Sequence, residues 1–176
     1  MKLLKKLFLI FLALIAILLL VALFLPSKVR VERSLAIGAP PEKIFEQINV
    51  LKNWEKWSPW HKLDPNMKLQ YSGPPAGEGA KYAWQSQQHN VGNGTLTISK
   101  SVPNERLETA MHFDDGDGTG VFKLEKNQNA TKIVWSMETD MGKNPIGRYI
   151  GLMMDKMVGP DFEKGLNNLK AICEAR

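Results

Sequence analysis

A single cysteine, Cys173, in 176 residues excludes an internal disulfide. It falls on the apolar stripe of a C-terminal helical pattern, where a buried, inert thiol is expected rather than a nucleophile. The three histidines, His61, His89 and His112, show no metal-like spacing such as H-x-x-x-H, so no metal site is expected. Glycines cluster, yet neither G-x-G-x-x-G nor the P-loop pattern occurs, which leaves nucleotide binding without support. A calcium loop counted from Asp115 places Gly120 at position six but Lys126 at position twelve, where a bidentate glutamate is needed. The run from Asp114 to Gly120 reads instead as a hairpin loop. Basic blocks are missing too. The net charge is +5, but without Lys2, Lys5 and Lys6 the rest holds 20 basic and 18 acidic residues, so nucleic acid is an unsuitable partner. No cofactor is expected.

What the chain does have is a long apolar run. From Leu7 to Leu25 there are 19 consecutive apolar residues. As a helix they would extend roughly 28 Å, close to the hydrocarbon thickness of a bilayer. The run exceeds the apolar part of a signal peptide, about 7 to 15 residues, and it ends Phe24-Leu25-Pro26 with no A-x-A pattern. The reading is an uncleaved single-pass membrane anchor over residues 1–26, followed by one domain over 27–176. Lys28, Arg30 and Arg33 follow the span almost as densely as three lysines precede it. With the amino terminus inside, the domain would face the periplasm or the cell exterior.

After the anchor, Val29, Val31, Leu35 and Ile37 alternate with polar or small residues, the pattern of a half-buried strand. Arg33 intrudes on its apolar face, which suits a cavity rim better than a bulge or an internal carboxylate pair. Pro40 and Pro41 open a short helix carrying Ile44, Phe45 and Ile48, and a second short helix carries Leu51 and Trp54. Between Met67 and Met137 about six further strands alternate with turns rich in glycine, proline and asparagine. The C-terminal run from Asn144 to Ala175 is helical. Ile146, Tyr149, Ile150, Met153, Met154 and Met157 share one face; after a break at Gly159-Pro160 the stripe resumes with Phe162, Leu166, Leu169, Ile172 and Cys173. A helix this long needs a broad apolar partner, and only a sheet is on offer. A curved sheet cannot touch a helix everywhere, so a cavity is expected between them.

This order, with Trp57-Ser58-Pro59-Trp60, the turn Gly77-Glu78-Gly79-Ala80 before Tyr82 and Trp84, Val91-Gly92-Asn93-Gly94, and the tail Gly159-Pro160-Asp161-Phe162-Glu163-Lys164-Gly165-Leu166, resembles the polyketide cyclase/dehydrase-like branch of the SRPBCC (START-like) superfamily. The resemblance covers about Val29 to Glu174. It implies an α+β helix-grip fold, a curved antiparallel sheet around a long C-terminal helix, here with an N-terminal transmembrane helix added. It also implies a deep apolar cavity for a lipid, sterol, polyketide or other hydrophobic small molecule, and in some members cyclisation or dehydration.

On that fold the candidate ligand contacts are Tyr82, Trp84, Met111 and Trp135 from the sheet, Met153 and Met157 from the helix, and Trp57 and Trp60 at the cavity mouth. The same side chains would equally suit a packed core, and for Trp57 and Trp60 packing is the favoured role. His61, beside the aromatic cluster, is the weak candidate for a general acid or base. His112 alternates with Met111 and is expected to face solvent. Three functions stand open: a membrane-tethered binding module for a hydrophobic molecule or lipid, a cyclase or dehydratase using His61, Tyr82, Glu125 or Glu138, and a structural or regulatory membrane protein with a filled core.

Overall fold

In the computed structural model, which describes residues 2–88, 91–114 and 116–175, helix α1 (Lys2–Phe24) leads directly into strand β1 (Lys28–Ile37). His89 and Asp115 lie outside the described residues. α1 is long and apolar enough to cross a membrane, a test that a signal sequence also passes. Only its Ala22 is buried.

Beyond β1 come α2 (Pro41–Asn49), a 3-10 turn, α3 (Trp54–Trp57) and α4 (Pro59–Leu63). Pro41 starts α2 where its missing N–H costs nothing, and Ile44, Phe45 and Ile48 give it one buried side. The indole Nε1 atoms of Trp54 and Trp57 donate to the carbonyls of Ile48 and Gln47, at 2.8 and 3.1 Å, and so staple α3 onto α2.

Six strands follow: β2 (Lys68–Ser72), β3 (Lys81–Gln85), β4 (Asn93–Val102), β5 (Arg106–Phe113), β6 (Gly116–Asn127) and β7 (Ala130–Asp140). All seven form one antiparallel sheet in the order β1-β7-β6-β5-β4-β3-β2, so β1 closes the meander by pairing with the last strand. The expected hairpin loop at Asp114–Gly120 is shorter than its composition implied, because β6 begins at Gly116. Two of its glycines, Gly118 and Gly120, occupy buried strand positions in phase with Phe122 and Leu124.

Helix α5 (Pro145–Glu174) completes the helix grip. Asn144 caps it, its side-chain oxygen accepting from the N–H groups of Ile146 and Gly147 at 3.0 and 3.4 Å. The helix does not break at Gly159-Pro160; it runs through Pro160. What changes there is the buried side. Phe162, Leu166, Leu169 and Cys173 pack on the sheet, whereas the earlier stripe of Ile146, Ile150, Met153 and Met157 is exposed. In that first half the sheet is met by Gly151 and Gly159. A Cβ on Gly151 would lie 2.7 Å from Val29 Cγ2, so the absence of a side chain lets helix and strand approach closely. Arg33 is not at a cavity rim. It fills the seam between β1 and α5, with Nη1 donating to Asp155 Oδ1 and Nε to Glu163 Oε1, each at 2.7 Å. The guanidinium holds the Asp155 carboxyl below its usual range.

Candidate functional site

The inward residues of the sheet and the short helices leave a cavity of about 90 Å³. Its wall on the helix side is a stack: Trp135 of β7 lies parallel to Phe162 of α5, ring centres 4.0 Å apart, with Phe122 behind it at 5.0 Å. Trp60 meets both Trp135 and Phe162 edge-on. Opposite stand Tyr82 and Trp84 of β3, tilted together at 5.7 Å. Met67, Met111 and Met137 line the remaining sides, and Phe113, 41% exposed, is the outermost lining residue. Gly120 is part of the lining as well. A Cβ there would come within 2.5 Å of Thr109 Oγ1 and 3.5 Å of Met111 Cε, so glycine is what leaves this part of the lining open.

Two polar groups stand out in this apolar shell. His61, from α4, lies 6.1 Å from the Tyr82 ring, and both its ring nitrogens are buried without a hydrogen-bond partner among the described residues. Burial lowers its pKa, opposed in part by the negative charge of Glu55. The imidazole is therefore neutral at neutral pH and offers one donor and one acceptor. Burial raises the Tyr82 phenol well above its ordinary value, so it keeps its proton. Tyr71, nearby, donates to Glu55 at 2.6 Å.

Of the residues singled out by sequence, Trp60, Tyr82, Trp84, Met111, Trp135 and His61 surround this one cavity. Trp57 does not. It is fully buried behind the cavity, wedged against Trp54, Phe122 and Trp135. Met153 and Met157 also lie away from the lining, 57% and 58% exposed, because the first half of α5 turns its apolar side away from the sheet. Glu125 and Glu138 are exposed and outside the cavity. His112 is exposed and paired with Asp117. Gly120 was missed by the sequence reading, although extending the alternation of Phe122 and Leu124 backwards would have found it. A second cleft, of about 340 Å³, lies between the 3-10 turn at Leu51–Asn53 and the Gly73-Pro74-Pro75 loop, with Lys52, Tyr71, Ser72 and Lys81 in its lining.

A curved antiparallel sheet gripping a long C-terminal helix around an apolar pocket defines a helix-grip protein of the SRPBCC, or START-like, class. Within it, the chain belongs to the polyketide cyclase/dehydrase and lipid transport family, whose model matches residues 28–174. Among solved structures it is similar to a protein of unknown function from Staphylococcus aureus, SA2116, with a TM-score of 0.63 at 13% identity, covering 84% of this chain and 94% of that one. It is also similar to CV1439 from Chromobacterium violaceum, with a TM-score of 0.55 at 20% identity over 86% of this chain and all of that one. DynU16, from the dynemicin biosynthetic locus, matches with a TM-score of 0.57 at 13% identity over 83% of this chain and 47% of that one. Among curated proteins, none matches this chain. At these identities the structural likenesses speak for the fold.

Proposed function

We propose that the chain is a membrane-tethered binding module, with residues 1–26 as anchor and 27–176 as a domain that takes a hydrophobic small molecule or lipid. The observation that carries this reading is the apolar, aromatic-lined cavity with His61 on its wall, its ring nitrogens without a partner among the described residues. Cavities of this size hold a few waters or one small apolar group. A larger ligand enters only if the lining yields, and Met67, Met111 and Met137, with their flexible thioethers, are suited to yield. A hydroxyl or carbonyl on the ligand would satisfy His61, which otherwise bears the cost of burying a polar group. The lysines before the span favour an inside amino terminus and a domain in the periplasm or at the cell exterior.

Native mass spectrometry of the full chain, released gently from membranes of its own host, tests the reading. A discrete added mass on the wild type that is lost in Met111→Trp, which fills the cavity, is the expected result. Bare protein in both, after lipid extracts have been offered, would overturn it.

A second reading rests on the His61–Tyr82 pair. A neutral imidazole and a protonated phenol on one cavity wall are the base and the donor that a cyclisation or dehydration requires. Binding without turnover is preferred, because no carboxylate joins them among the described residues of the lining. Turnover of a bound ligand by the wild type and not by His61→Phe would reverse that preference.

A further inference from the structure

Helix α5 presents its apolar side to two different surroundings. Past Pro160 the apolar residues are buried on the sheet. Before Gly159 the sheet side carries Gly151, Gly159 and the Asp155–Arg33 pair. The apolar residues Ile146, Ile150, Met153 and Met157, at i, i+4, i+7 and i+11, form a ridge on the other side, 70%, 45%, 57% and 58% exposed. A contiguous apolar ridge of this kind marks an interaction surface.

Its position identifies the partner. Tyr149 Oη donates to the carbonyl oxygen of Leu18, inside α1, at 2.8 Å. Arg148 Nη1 donates to the carbonyls of Ala22 and Leu23 at 3.0 and 2.9 Å. Leu18 stands seven residues before the end of the apolar run at Leu25. At 1.5 Å per residue, the first turns of α5 thus meet α1 from roughly 3 Å, at Leu23, to about 10 Å, at Leu18, inside that run. An amphipathic helix lying in a membrane interface buries its apolar face roughly 5 to 10 Å deep. The two ranges overlap.

We infer that the segment Pro145–Val158 is an interfacial helix whose ridge of Ile146, Ile150, Met153 and Met157 sits in lipid, an inference that rests on α1 spanning the bilayer. The flanking, exposed Lys143 and Lys156 reach headgroup level by extending their aliphatic stems. The rim of the cavity lies at the same end of the sheet. Met137 pairs with Val31, and Phe113 pairs with Gly116, at the end where β1 leaves α1. A hydrophobic ligand then passes from bilayer to cavity with little exposure to water.

The test places an environment-sensitive fluorophore on the full chain in phosphatidylcholine/phosphatidylglycerol vesicles, in a Cys173→Ser background. Three sites are compared: Met153→Cys on the ridge, Leu14→Cys in the middle of the span, and Gln128→Cys on the hairpin at the opposite end of the sheet. With brominated acyl chains, the labels at 14 and 153 are expected to lose at least about half of their emission, and the label at 128 none. Quenching at 14 without quenching at 153 overturns the inference and leaves the anchor standing. Quenching at neither removes both. A label at 153 that is shielded from aqueous iodide yet unquenched by lipid, with Met153→Cys chains oxidising to disulfide dimers, reassigns the ridge to a second copy and also overturns it.

Discussion

Replacing His61 with phenylalanine should stabilise the protein. The imidazole borders the cavity with both nitrogens buried and unpartnered among the described residues. Leaving a buried polar group unpaired costs about 1–3 kcal/mol. Because the ring edges a space that admits water, the lower end, about 1 kcal/mol, is appropriate. Phenylalanine keeps the planar shape facing Tyr82, and its extra carbon enters the adjacent void rather than overpacking the core. For a chain of this length, about 1 kcal/mol corresponds to a rise of about 2–4 °C in Tm. The pH dependence follows from the same burial. The folded imidazole has a lowered pKa, so below the ordinary value of 6.5 the unfolded chain binds a proton that the folded chain refuses. As pH falls below 6.5 toward the lowered folded pKa, the wild type therefore loses further stability through His61, and His61→Phe does not. The assay is thermal unfolding of the full chain in mild detergent at pH 7.5 and 5.5, followed by near-ultraviolet circular dichroism of the five tryptophans. A variant that melts below the wild type at pH 7.5, or that loses the same number of degrees between the two pH values, would refute the reasoning.

Trp57→Ala, which empties a fully buried site, should cost about 3–5 kcal/mol, whereas Met153→Ala on the exposed ridge should stay within about 0.5 kcal/mol; denaturant titration of both separates core from surface. Arg33→Met should let the Asp155 carboxyl titrate nearer its ordinary range, seen by carboxyl-carbon NMR. That depressed carboxyl contributes stability above its unfolded pKa which is lost as pH falls through its folded value, so the variant should show a shallower acid limb. Cys173 is buried, and its thiol is pushed up to about 11, first of all by that burial, so iodoacetamide at pH 8 should modify it slowly in the folded chain and rapidly once denaturant is added.

The architecture could be read from the chain because strand alternation and helical spacing are local signals. Val29 to Ile37 and Leu107 to Phe113 alternate visibly; chain order gives Leu107 to Phe113 its neighbours β4 and β6, whereas Val29 to Ile37 pairs with the last strand, β7. The orientation of the first half of α5 was not legible for a related reason. Periodicity tells which residues share a face and is silent on what covers it, so Met153 and Met157 were assigned to a cavity that their helix turns away from. Trp57 and Trp60 stand three residues apart and would share a side of one helix. Ser58, extended at ψ 130°, and Pro59 at the start of α4 separate them, sending one ring into the core and the other to the cavity wall. Gly120 was hidden by its surroundings, since it ends a run rich in aspartate and glycine that reads as a turn. The isolation of His61 depends on strands far away in sequence, which no local pattern records.

Arg148 does more than touch α1. The last carbonyls of a helix lack the usual partners one turn on, and here those of Ala22 and Leu23, with that of Leu25 just beyond the helix, accept from this one guanidinium, whose Nε also donates to the carbonyl of Gly142; Ala22 accepts in addition from the Leu25 N–H at 3.3 Å. The positive charge also sits at the negative end of the helix dipole. The end of α1 is thus completed by a residue more than a hundred positions downstream, and the helix is no interchangeable leash. If α1 is the anchor proposed above, a foreign hydrophobic segment joined at Ser27 would lack these hydrogen bonds, whereas the native helix, through them, sets one compass bearing for everything built upon it.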